Sequence, residues 1–280
     1  MNTAHVNGVA LVYETIGSGG PLLLIHGSNL ATGLAPLAAA LAREAPRLEL
    51  VQYHRRGMGS STAGGSASSV DLDASDALGL LDSFGLGSAH ILGYSYGGVV
   101  ALEAALMAPS RIRSLILLEP VLLEVPSSTA FLAGMAAVMS RYADGDMAGA
   151  VSATFEALGG TRWRDLVATA GPDALEMAVR DTAVFYRTEL PALNTWRFDA
   201  TRATAMHSPV LSVLGRDSGQ FFVEGRKLLH ERFPHCFDAD IPNVNHLLNL
   251  QAPRRIANQV ASFLATLLSG LPARDGRTVR

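Results

Sequence analysis

The stretch Ala89-His90-Ile91-Leu92-Gly93-Tyr94-Ser95-Tyr96-Gly97-Gly98 decides the reading of this chain. Ala89 to Leu92 is a short apolar run with the character of a strand. Tyr96 to Ala108 reads as a helix and is stopped by Pro109. Between them Gly93-Tyr94-Ser95-Tyr96-Gly97 fits G-x-S-x-G. The pentapeptide alone is a weak signal, because Gly and Ser are common. Set between a strand and a helix, it becomes a nucleophile elbow, with the serine hydroxyl raised above the sheet edge on a sharp turn. Bulky side chains two residues before or after would collide with neighbouring backbone, so glycine is needed at both places. The helix N-terminus adds a positive dipole that favours a developing oxyanion. An ordinary Gly-rich turn is the plainer alternative, and the match to context disfavours it. Ser95 is therefore the candidate nucleophile.

The same alternation extends outward from this point. Upstream, Val6-Asn7-Gly8-Val9 carries the Asn-Gly signal of a type I′ hairpin turn, and Val9 to Tyr13 follows as a strand. Leu22 to Ile25 is a short apolar run ending at His26-Gly27, as expected of a strand buried on both faces. Leu34 to Glu44 reads as helix, Leu48 to Tyr53 as strand, and Leu72 to Phe84 as an amphipathic helix with Asp71 as its N-cap. Downstream, Ser114 to Leu118 is a strand ending at Glu119-Pro120. Alternating strands and helices imply a parallel sheet covered on both faces. From about Ser127 to Ala205 the pattern turns purely helical, with helices expected within 129–142, 147–158, 163–170 and 174–190. Sheet signals then resume with a strand in Pro209 to Leu214, a helix over Phe222 to Arg232, a strand over Cys236 to Ile241 and a last helix over Pro253 to Leu268. The expected organisation is one α/β core (1–122 and 207–270) interrupted by a helical segment (123–206), with a tail at 271–280.

Composition excludes several function classes. The 280 residues are 49% hydrophobic and 17% charged, so the chain is globular, and its net charge of −3 with no dense Lys/Arg cluster argues against a nucleic-acid partner. Arg55-Arg56 and the tail are the only basic spots. No apolar run approaches the ~20 residues needed to span a bilayer. No basic-then-apolar leader pattern stands at the start, so a cytoplasmic location is expected, with no membrane partner. The single cysteine, Cys236, cannot form an intramolecular disulfide or a Cys-based zinc site, and reads as a small buried hydrophobe. Homo-oligomerisation stays open.

A serine nucleophile needs a base, and His246 has the best placement of the eight histidines. It follows the last strand by the short loop Pro242 to Asn245, which opens at the carboxyl edge of the sheet, where ligands bind. His26 reads as a loop-shaping residue, and the remaining histidines have no constellation around them. Two acids compete to orient the base. Asp217, in Leu214-Gly215-Arg216-Asp217-Ser218, follows a strand, and Glu119 ends the strand after the elbow helix. Two oxyanion donors are also needed. The backbone N–H of Tyr96 is one, and the loop His26-Gly27-Ser28 supplies the other, with Ser28 the better choice.

His26-Gly27-Ser28, Arg55-Arg56-Gly57-Met58-Gly59-Ser60, Gly93 to Gly98, and Gly215-Arg216-Asp217 with Asn245-His246 together resemble the α/β-hydrolase superfamily. The resemblance runs from about Ala10 to Leu268. It looks in detail like the capped hydrolases that include esterases, carbon–carbon bond hydrolases and cofactor-free haloperoxidases. It implies a mostly parallel eight-stranded sheet flanked by helices, with the helical segment as a cap. It also implies Ser95 as nucleophile, His246 as base and Ser28 and Tyr96 as oxyanion donors, with no metal or organic cofactor. One departure bears on the acid. Many members carry Gly-x-x-Asp after the penultimate strand, whereas here that fourth position is Ser218 and the aspartate falls one residue early. Some relatives, haloalkane dehalogenases among them, instead use a glutamate at the strand end that Glu119 occupies. Serine rather than aspartate at the elbow argues against dehalogenase and epoxide-hydrolase chemistry. The expected reaction is acyl transfer on a small, apolar ester or related carbonyl substrate. The alternatives are a small-molecule receptor, or a lyase, perhydrolase or cofactor-free oxygenase on the same fold.

Overall fold

The computed structural model describes residues 1–65 and 69–269. The expected 271–280 tail and residues 66–68 lie outside them. The hairpin forms as its residues demand: β1 (Asn2–Val6) and β2 (Val9–Gly17) pair antiparallel, and both turn residues have positive φ, 45° at Asn7 and 78° at Gly8. Six further strands complete the sheet: β3 (Gly20–Ile25), β4 (Leu48–Tyr53), β5 (Ala89–Tyr94), β6 (Ile112–Leu118), β7 (Val210–Gly215) and β8 (Cys236–Ile241). The order across the eight-stranded sheet is β1-β2-β4-β3-β5-β6-β7-β8. Only the pairings made by β2 are antiparallel.

The short apolar strands are buried on both faces. In β3, Leu22 and Leu24 face one hydrophobic cluster while Leu23 and Ile25 face another. The first cluster is closed by α1 (Ala35–Glu44) and the terminal helix α13 (Pro253–Ser269). The second is closed by α2 (Val70–Ser83), α3 (Tyr96–Met107) and α11 (Gln220–Arg232). One expectation fails at α2. Its N-cap is Ser69, whose side chain accepts from the Leu72 N–H, and Asp71 lies inside the first turn. The helix starts two residues earlier than its apolar pattern suggests, because Val70 is also buried.

Between β6 and β7 the chain is helical: α4 (Ser128–Gly134), α5 (Ala136–Ala143), α6 (Met147–Gly159), α7 (Trp163–Ala168), α8 (Ala174–Val184), α9 (Leu190–Thr195) and α10 (Ala200–Ala203). The helix expected over 174–190 is interrupted by a π-helical turn, Phe185–Glu189. Such turns often mark functional places in a helix. The segment has its own small cores. Phe155, Trp163 and Val167 pack with Leu30, Leu247 and Leu250, which lie beyond the ends of β3 and β8. The helical segment is thereby joined to the loops at the carboxyl edge of the sheet. A short α12 (Leu248–Gln251) completes that edge. Among the described residues no helix is long and apolar enough to cross a membrane.

Candidate active site

The elbow is a strained turn. Ser95 has φ 55° and ψ −120°, outside the regions a serine normally occupies, at a typical cost of about 1–3 kcal/mol. The surrounding glycines permit it. A Cβ on Gly93 would lie 2.3 Å from the Gly97 carbonyl oxygen, and one on Gly97 would lie 2.3 Å from the oxygens of both Ile25 and His26. The strain places the Ser95 side chain at the mouth of β5, where His246 Nε2 lies 3.0 Å from Ser95 Oγ.

The carboxylate that meets the imidazole is Glu119, with Oε2 2.7 Å from His246 Nδ1. Glu119 sits one residue past β6 with φ 46°, a second strained position at this edge. Its other oxygen accepts from the Gly215 N–H at 2.7 Å, at the end of β7. Asp217, the other acid candidate, is not at the imidazole. It is exposed, and its backbone N–H bonds the Val244 carbonyl at 2.9 Å. The chain turns away after Gly215, so β7 contributes a backbone N–H to the acid and not a carboxylate.

Two contacts invisible in the sequence fix the imidazole. Phe222 stacks on it with ring centroids 4.2 Å apart and planes 12° apart. The Tyr94 hydroxyl donates to the His246 carbonyl at 2.8 Å. Burial and nearby Glu119 push the Tyr94 phenol well above its ordinary pKa, so it stays a neutral donor. No periodicity or motif marks either residue for this task.

Ser28 and Tyr96 line the same cavity as Ser95 and His246. The Tyr96 N–H is at the first position of α3, where helix geometry leaves it without an intrahelical acceptor. The rest of the lining is mostly apolar, with Asn29, Thr154 and Asn249 as its further polar members. The cavity is walled by Leu30, Val121, Phe131, Met135, Phe155 and Phe185, among others. Among the described residues, no Arg, Lys, Asp or Glu side chain lines it. The aromatic and Met residues of the helical segment divide between lining the cavity and packing the helices. Phe131, Met135, Phe155 and Phe185 line the cavity. Trp163 and Tyr186 are buried in the helical segment, Trp196 bonds Glu103 through its indole, and Met139 is exposed.

Away from the cavity, His230, Cys236 and Asp238 place potential ligand atoms within 4.8 Å of one another. Their arrangement is a side-chain pair rather than an open cradle. His230 Nε2 lies 3.0 Å from Asp238, and Arg226 reaches the same carboxylate at 3.4 Å. This pair gives His230 a partner its sequence neighbours do not announce. Arg55-Arg56, one of the two basic spots of the sequence, acquires acidic partners in the fold. Both side chains are buried and ion-paired.

This sheet order, elbow and covering helices define an α/β-hydrolase. The chain belongs to the α/β-hydrolase fold family, whose model matches residues 20–253. A curated relative, 2-hydroxymuconate semialdehyde hydrolase of Pseudomonas putida, is 35% identical over 112 residues, covering 39% of this chain and 40% of that protein. The chain spans about two fifths of the length of the curated relatives it matches in this way. Among solved structures, an esterase from Thermogutta terrifontis superposes with TM-score 0.78 at 20% identity, covering 95% of this chain and 98% of that one. The enol-lactonase from Burkholderia xenovorans gives 0.73 at 20% identity, covering 94% and 100%. At that identity the likeness is one of fold.

Proposed function

We propose that the protein is a serine hydrolase that cleaves esters of short, uncharged, apolar acids. The observation that carries the reading is the unbroken relay Ser95 Oγ–His246–Glu119 at the floor of an apolar cavity. In the first half-reaction His246 Nε2 takes the Ser95 proton as Oγ attacks the carbonyl carbon. The carbonyl electron pair moves onto oxygen, which is held by the N–H groups of Ser28 and Tyr96. Collapse breaks the ester C–O bond, and His246 returns the proton to the departing alcohol. Water then repeats the sequence on the acyl-enzyme and releases the acid. Glu119 keeps the proton of the neutral imidazole on Nδ1 and stabilises the imidazolium as it forms. The chain's own groups supply every step.

The lining supports the substrate class. An acyl group carrying a carboxylate would enter without a cation to meet it, an uncompensated charge in an apolar site. The cavity is partly open, and its volume is about 70 Å³. A cavity of ~150 Å³ holds benzene, so the space here favours a short acyl chain over an aromatic one. The helical segment 123–206 acts as the cap that sets this limit.

Turnover of p-nitrophenyl butyrate and labelling by a fluorophosphonate test the reading. The wild-type protein is expected to show both, and Ser95→Ala neither. p-Nitrophenyl hemisuccinate is expected to be the poorer substrate. Wild-type protein that neither turns over nor labels would sink the enzyme reading and leave a small-molecule receptor on this fold.

A further inference from the structure

We propose that Arg55 is a positioning residue for both oxyanion donors and that Glu189, on the helical segment, anchors it; this rests on the serine-hydrolase reading above. Arg55 lies two residues past β4, and its side chain is fully buried. On one side it holds the loop that carries Ser28. Its Nε donates to the His26 carbonyl at 3.1 Å and its Nη2 to the Gly27 carbonyl at 3.0 Å. Its backbone N–H donates to His26 Nε2 at 3.0 Å. These contacts fix His26 as well. Burial, reinforced by the Arg55 charge, holds its pKa well below the ordinary value, so the ring is neutral. With Nε2 accepting from Arg55, the ring proton sits on Nδ1 and donates to the Gly27 carbonyl at 2.7 Å. Every bond in this set ends one or two residues before Ser28.

On the other side the guanidinium supports Tyr96. Its Cζ lies 4.6 Å from the centroid of the Tyr96 ring. The Tyr96 hydroxyl donates to Asp73 at 2.8 Å, and Asp73 lies 3.6 Å from Arg55 Nη1. The residue whose backbone N–H serves as the second donor is therefore clamped through its side chain by the same group. Two oxyanion donors contributed by separate loops must converge on one point, and a misplacement of about 1 Å can cost 10²-fold in rate. Arg55 touches both loops.

The anchor comes from outside the sheet. Glu189 closes the π-helical turn and is fully buried, with Oε1 2.5 Å from Arg55 Nη2. Burial opposes the Arg55 charge, but Glu189 and Asp73 outweigh it and keep the guanidinium protonated. Four residues earlier, Phe185 lines the cavity, and Leu190 lines it on the following residue. The turn that walls the substrate space thus also closes the ion pair that holds the donors. Seating of the helical segment and assembly of the oxyanion hole become one event.

Glu189→Gln and Arg55→Lys test this in the intact chain. Glu189→Gln keeps shape and removes charge, whereas Arg55→Lys keeps charge and loses the fork that spans two carbonyls. Activity is to be expressed per active site titrated with a fluorophosphonate, which removes any loss due to misfolded protein. We expect kcat to fall about tenfold to a hundredfold in each variant with KM within about threefold. The affinity for butylboronic acid, which forms a tetrahedral adduct on the serine, should fall by the same factor as kcat. A merely structural role would lower the melting temperature and the titratable fraction, and leave kcat per site and boronate affinity unchanged. That outcome in both variants overturns the proposal. Silence of the wild-type protein in the same assays overturns the hydrolase reading instead, so the two failures are told apart.

Discussion

The sheet's carboxyl edge and the helices of 123–206 differ in how tightly each is specified. At the edge, strained backbone at Ser95 and Glu119, glycines with no room for a Cβ and a chain of short hydrogen bonds define one geometry. The helical segment is built from short helices whose side chains meet through apolar contacts in two small clusters. Directional bonds tolerate little displacement, whereas apolar packing tolerates substitution if volume is kept. The edge is suited to fix a reaction and the helices to vary what enters it. Where the two meet, polar contacts return: Glu189 binds Arg55, and Asp181 of α8 accepts the Gly59 N–H at 2.5 Å.

The sharpest way to break this contrast is at the acid. Glu119→Gln should lower kcat by about 10⁴-fold, because the amide no longer holds the imidazole in its working tautomer. Asp217→Asn, on an exposed side chain away from the imidazole, should stay within about twofold of wild type. Steady-state kinetics on p-nitrophenyl butyrate read both, and a reversed result would return the acid to β7. The next effect is on stability. Trp163, the first residue of α7, is buried and stacks on Phe155 of α6 with centroids 5.7 Å apart. Trp163→Ala should cost about 3–5 kcal/mol in chemical denaturation. If the segment is the more loosely held region, the loss appears as an early unfolding step that precedes loss of the sheet.

A smaller effect tests selectivity. Leu132 lines the cavity and is only partly buried, so a cation there can reach water. Leu132→Arg should shift kcat/KM toward p-nitrophenyl hemisuccinate relative to the butyrate by about three- to tenfold. No shift would place selectivity in the edge rather than in the helices. The smallest effect belongs to the sheet itself. Burial, with a lesser effect of Arg113, pushes His90 down to about 4 from an ordinary 6.5. The unfolded chain therefore binds that proton first as pH falls, and the folded state loses stability progressively from about pH 6.5 toward 4. Thermal melts across that window should show a decline that His90→Gln reduces, while activity at neutral pH is unaltered.

Much of this protein was legible in its sequence because local rules suffice for it. Asn7-Gly8 permits a hairpin whose two turn residues have positive φ, and the apolar run of β3 needs burial on both faces. Gly93 to Gly97 specifies the elbow by steric exclusion alone, so Ser95 could be singled out, and the loop after the last strand pointed to His246. The helical segment was legible as helix but not in its breaks. Gly134 ends α4 and Pro191 follows the π-helical turn at Phe185–Glu189, but neither residue by itself fixes the form of the break.

Which carboxylate meets the imidazole was decided by the tertiary structure. Glu119 and Asp217 both follow strands, and nothing local separates them. The choice depends on where β6 and β7 end relative to a histidine 127 residues from Glu119. The positive φ at Glu119 and the turn after Gly215 make that choice, and both are set by packing at the sheet edge. Arg55 teaches the same lesson. Two adjacent arginines read only as a basic spot, because a buried guanidinium is stable only beside partners that the chain brings from afar. Its partners, Asp73 and Glu189, come from α2 and from the helical segment. Short-range sterics and periodicity thus settled the fold and singled out Ser95, while the pairing of charges required the folded chain, since Coulombic partners are chosen by distance in space and not along the sequence.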